Sequence, residues 1–181
     1  MATRLRTPPA LAISVGGLLW LASSLGAAQV LPAGRWVLAI GALGMLVVAV
    51  GIVGLGLLHE RGRSLTMIIA LLAAAGLLLS AAIEVGFLVG ALRSFGDPLT
   101  WPTAVAVSGL AAEAAFAVAA IASDVLPRIP LAAIAVLSIA LAISAYWVPG
   151  YVLWGAVLEA AAWLVLGLAI LVTPAERVAA G

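Results

Sequence analysis

Residues Trp36–Leu58 read WVLAIGALGMLVVAVGIVGLGLL, with no charged side chain anywhere in the run. At about 1.5 Å of rise per residue, a helix of this length covers the roughly 30 Å hydrocarbon core of a bilayer. The run stops sharply at His59-Glu60-Arg61-Gly62-Arg63. Backbone groups left unpaired in lipid are costly enough that only helices and closed barrels span it. Strict apolar–polar alternation is absent, which excludes a barrel and leaves a transmembrane helix.

The same punctuation by charges and prolines repeats on both sides of this run. It predicts six spans, at about 8–29, 36–58, 64–92, 101–123, 129–146 and 151–172. The fifth and sixth are divided only by Trp147-Val148-Pro149-Gly150, whose Pro-Gly pair reads as a turn. The stretch from Ile129 to Val172 is too long for one span, so two helices are expected there. The N-terminal run to Val30 is longer than the apolar region of a signal peptide, so a retained first span is expected. The predicted fold class is therefore all-α, a single polytopic domain of six transmembrane helices over residues 1–181.

Composition agrees. The 181 residues are 66% hydrophobic and 8% charged, against roughly 25% charged in soluble domains. A soluble domain, a disordered chain and a nucleic-acid binder are excluded. There is no Cys, so no disulfide, thiol chemistry or Cys metal site. There is no Lys, so no Schiff base. The single His cannot hold a haem from both sides.

Six spans put the N-terminus, two loops and the C-terminus on one side. That side carries Arg4, Arg6, Arg61, Arg63, Arg128 and Arg177, and the other carries Arg35 and Arg93. The imbalance predicts cytoplasmic termini in an inner (plasma) membrane. Trp36, Trp101, Trp147 and Tyr151 then fall at outer span ends, where interfacial aromatics belong.

Three charges lie inside spans: Glu84, Glu113 and Glu159. An ionised side chain at the bilayer centre costs at least about 2.5–3.5 kcal/mol, so intramembrane carboxylates point to function. Helical rise places Glu84 and Glu159 roughly 12 Å, and Glu113 roughly 18 Å, below the outer span ends. The expectation is one outward-half cavity lined by the three carboxyls. Glu84-Val-Gly-Phe87 and Glu113-Ala-Ala-Phe116 share a pattern that continues to Leu92 and Ile121, either a duplication or a chance match of Ala/Gly/Val helices. Tyr151, Gly155, Glu159 and Trp163 share a face at i, i+4 spacing, with Trp154 beside it.

Carboxylates walled by Tyr151, Trp154, Trp163, Phe87 and Phe116 suit a proton, a cation or a small amine. The competing reading is structural: each Glu bonds a neighbouring helix through Ser80, Ser108, Ser138 or Ser144. His59 reads as an interfacial cap. Asp124 with Arg128, and Arg93 with Asp97, read as loop pairs, and Arg93 can also snorkel towards Glu84. Glycines of the second span, Gly41, Gly44, Gly51, Gly54 and Gly56, read as a packing face, as does Ala12-x-x-x-Gly16 of the first.

Val125-Leu126-Pro127-Arg128-Ile129-Pro130-Leu131 at the fifth span and Tyr151-Val152-Leu153-Trp154 at the last carry a resemblance. The chain resembles a large group of small bacterial six-span membrane proteins without a settled activity, which implies no residue roles. In size, span number and orientation it is also similar to substrate-binding subunits of energy-coupling-factor vitamin transporters. That similarity implies an outward-facing substrate pocket, although the outer loop Val30–Arg35 is short for a gate. The expectation is a binding or transport protein in the bilayer, with the alternative of a structural subunit that binds a membrane-protein partner. No nucleophile–base pair, metal set or cofactor motif occurs, so neither an enzyme nor a cofactor is expected.

Overall fold

The computed structural model describes residues 2–30, 34–58, 64–88, 101–122, 126–147 and 149–173. Within them the chain is all-helical: α1 (Ala2–Ala27), α2 (Trp36–Leu58), α3 (Ser64–Leu88), α4 (Trp101–Ala122), α5 (Arg128–Trp147) and α6 (Pro149–Val172). Four helices contain stretches long and apolar enough to cross a membrane: Thr7–Ala27, Trp36–Leu57, Met67–Gly86 and Trp154–Val172. α4 and α5 contribute the shorter apolar stretches Ala106–Ala122 and Arg128–Ser144.

Helix and apolar run coincide in α2 and part company in α1. The apolar run starts at Pro8, whereas α1 starts at Ala2 and carries Pro8 and Pro9 internally. Each proline removes one i→i−4 donor, to the carbonyls of Arg4 and Leu5. Hydropathy reports where lipid contact begins, not where helical backbone begins. At the other end Gln29 adopts a left-handed φ of 61°. Val30 N–H bonds Leu25 O at 2.9 Å and Gln29 N–H bonds Gly26 O at 3.0 Å. This pair of bonds is a Schellman cap, made without the usual glycine.

Each helix packs mainly on its chain neighbours, and α6 returns to α1, so the six close into a ring. Glycines set the closest approaches. A Cβ on Gly44 would stand 2.6 Å from the Trp20 backbone nitrogen of α1. Gly76 of α3 and Gly109 of α4 meet backbone to backbone, a Cβ on Gly76 falling 2.6 Å from the Gly109 Cα. Such crossings require small residues, because in lipid helix association rests on close packing rather than hydrophobic exclusion.

Side-chain size, not polarity, separates inside from outside. The core includes Ala10, Ala42, Ala49, Ala70, Ala73, Ala117 and Ala160, filled in by Ile13, Val48, Leu77, Trp163 and Leu166. Exposed residues are large and aliphatic, and recur two turns apart: Leu11 and Leu18, Leu43, Val50 and Leu57, Leu72 and Leu79, Val136 and Ile143, Leu158 and Val165. An apolar surface of this extent suits lipid rather than water.

Candidate functional site

Glu113 on α4 and Glu159 on α6 meet inside the bundle. They are 2% and 1% exposed, and their carboxyls lie within hydrogen-bonding reach of each other. Each holds a further donor. Trp163 Nε1, one turn beyond Glu159, donates to Glu113 Oε2 at 3.3 Å. Ser138 Oγ on α5 donates to Glu159 Oε1 at 2.5 Å. Phe116, one turn beyond Glu113, stacks on Trp163 with ring centroids 6.2 Å apart and planes at 21°.

Helical spacing explains the convergence. Glu113 and Phe116 share one face of α4, and Glu159 and Trp163 share one face of α6. The two faces oppose each other, and Ser138 closes the group from α5. Gly155, one turn before Glu159, has Leu141 of α5 seated where its Cβ would stand, which draws α5 and α6 together. A bond between two carboxyls needs a proton on one of them, because a carboxylate oxygen only accepts. The arrangement sets two carboxyls side by side, with a hydroxyl and an indole each donating to one of their oxygens.

Glu84 on α3 lies elsewhere among these contacts. Its carboxyl occupies the space a Cβ on Gly41 of α2 would take, and Ser23 Oγ of α1 borders the same space. Its Oε2 is buried without a hydrogen-bond partner. The three carboxyls expected along one cavity therefore divide in two: a Glu113–Glu159 pair at α4, α5 and α6, and a single Glu84 at α1, α2 and α3.

The aromatic walls divide as well. Phe116 and Trp163 are buried at the pair. Trp154 is 56% exposed and lies on the outward stripe with Leu158 and Val165, on the far side of α6 from Glu159. A residue five positions before Glu159 is rotated by about 140° around a helix, which removes Trp154 from the site. The side chains of Phe87 and Tyr151 lie outside the described residues, as do Trp101 and Trp147. So do residues 59–63, 93, 97 and 124, on which the cap and loop-pair expectations rest. Of the four serines expected to bond a Glu, Ser138 does so, whereas Ser108 and Ser144 donate to Ala104 O and Leu141 O of their own helices.

Ser23 was not legible as a site residue, since a Ser in an apolar run carries no address of its own. Among the described residues no three of His, Cys, Asp and Glu gather to hold a metal. Comparison of the chain with protein-family models, curated proteins and solved structures finds no match.

Proposed function

We propose that this is a six-span membrane protein of the binding or transport type, with both termini cytoplasmic, whose ligand is a proton held by Glu113 and Glu159. The observation that carries the reading is the carboxyl pair itself, with Ser138 and Trp163 as fixed donors. Intramembrane carboxyls at a bundle interior are the usual parts of proton relays. A proton fits this pair better than a bulky amine, because both carboxyls are already surrounded by packed side chains. Six crossings are supported by the ring, in which all six helices have the same kind of neighbours, and cytoplasmic termini by the arginine imbalance.

The test is proton entry into proteoliposomes under an imposed membrane potential, read by an internal pH-sensitive dye. Wild type should exceed protein-free vesicles, and Glu113→Gln and Glu159→Gln should not, while keeping helicity and monodisperse elution. No entry with wild type, or wild-type entry with both variants, overturns the proposal. A second reading has its own support: the Ser138–Glu159 and Trp163–Glu113 bonds each join two helices. On that reading the chain is a structural or partner-binding subunit, and the same variants lose folded yield instead.

A further inference from the structure

Glu84 is the carboxyl that the Glu113–Glu159 pair does not use. Its side chain is half-buried, and its Oε2 is buried without a hydrogen-bond partner. The carboxyl fills the place where a Cβ on Gly41 of α2 would stand, and Ser23 Oγ of α1 borders the same place. Ser23 has already committed its one hydrogen, to Val37 O of α2 at 2.7 Å. It therefore meets Glu84 with lone pairs only. An ionised Glu84 sets acceptor against acceptor and strands Oε2 in an apolar bundle, which costs more for a charged group than for a neutral one. A protonated Glu84 removes the mismatch, because its O–H donates where a carboxylate only accepts.

We propose that Glu84 is a second proton site, separate from the Glu113–Glu159 pair, whose proton closes a hydrogen-bonded clasp between α3, α1 and α2. Glu84 O–H donates to Ser23 Oγ, and Ser23 O–H donates to Val37 O. Ionisation of Glu84 removes the first of these bonds and leaves the second. Ser23, Val37 and Glu84 all stand within about a turn of the ends of their helices, where α1 and α3 finish and α2 begins. The clasp thus lies near one end of the bundle, where a half-buried carboxyl can exchange its proton with water. Glu113 and Glu159 are instead near mid-helix and almost fully buried. Gly41 is required because a side chain there would push the Glu84 carboxyl away from Ser23. At this end of α1, α2 and α3, Glu84 is the one titratable side chain among the described residues. Neighbouring segments add Arg35, exposed just ahead of α2, and Glu113 of α4, which Trp163 engages.

The test follows the thermal unfolding midpoint of the full chain in detergent from acid to alkaline pH. A proton held by the folded state stabilises at low pH, and that stabilisation is lost as pH rises. In Glu84→Gln the amide N–H donates to Ser23 at every pH. Wild type should therefore stay close to Glu84→Gln at low pH and fall below it as pH rises. The margin of wild type over Ser23→Ala should be largest at low pH and shrink as pH rises. That second variant keeps the carboxyl and serves if Glu84→Gln folds poorly. A wild-type difference from Glu84→Gln that is the same at every pH overturns the proposal, as does a Ser23→Ala margin that does not shrink. Both comparisons should keep their pH trend in a Glu113→Gln background. A trend lost there assigns the response to the pair and overturns the clasp. Since Glu113→Gln keeps this response but loses proton entry, failure of the clasp and failure of the proton pair are separately visible.

Discussion

The indole nitrogen of Trp163 on α6 donates to Glu113 on α4 at 3.3 Å, although its own helix carries Glu159 one turn away. Glu159 is served instead by Ser138 of α5. Each carboxyl thus takes its donor from another helix, and α4, α5 and α6 are tied into one polar group within an apolar bundle. Replacing Trp163 by Phe keeps the ring against Phe116 but removes the donor. The variant should unfold at lower denaturant, by about 1–3 kcal/mol, the cost of stranding a buried acceptor. Loss of helicity in a detergent titration measures it, and an unchanged midpoint contradicts the bond's role.

Ser138→Ala strands Glu159 in the same way and should cost about 1–3 kcal/mol. The cost should shrink in a Glu159→Gln background, where the neutral amide oxygen asks less of the hydroxyl. A double-mutant cycle on these two positions should show coupling of at least about 0.5 kcal/mol. Additive effects would show that the two side chains do not interact.

A proton shared by Glu113 and Glu159 would have a spectroscopic signature. Infrared spectra of the wild-type protein should contain the carbonyl stretch of a protonated carboxylic acid that is missing from Glu113→Gln. In that variant the amide of residue 113 donates to Glu159, so no carboxylic proton is needed between them. A wild-type-minus-variant spectrum without that band would show that the pair holds no proton.

Gly76 and Gly109 meet where α3 crosses α4. Gly76→Leu forces the two backbones apart and should destabilise by about 1–3 kcal/mol or more. Ala75→Leu, on the exposed face of the same helix, is the comparison. Equal unfolding midpoints for the two variants would show that the α3–α4 crossing does not depend on the missing side chain.

Gln29 caps α1 with a left-handed φ of 61°, a conformation that glycine adopts without the Cβ clash. Gln29→Gly should raise stability, by up to about 1 kcal/mol. A lower midpoint would mean that the Gln side chain contributes more than the strain it bears.

The sequence by itself determined the helices and the residues of interest. An uncharged run such as Trp36–Leu58 in lipid must satisfy its own backbone, and helix α2 follows it residue for residue. Glu113 and Glu159 stand out because a carboxyl in such a run is costly. The sequence did not determine which faces meet. In a water-soluble bundle, polarity marks the outward face, but here both sides of every helix are largely apolar, so which face turns outward is not marked by composition. Only the tertiary structure put Trp163 at the pair and Trp154 on the outer stripe, through α5–α6 contacts such as Leu141 against Gly155. The same packing sent Glu84, whose local sequence mirrors that of Glu113, to Gly41 and Ser23 instead. A carboxyl's partner is set by the register between helices distant in the chain, and that register is fixed by small-residue contacts that no single span encodes.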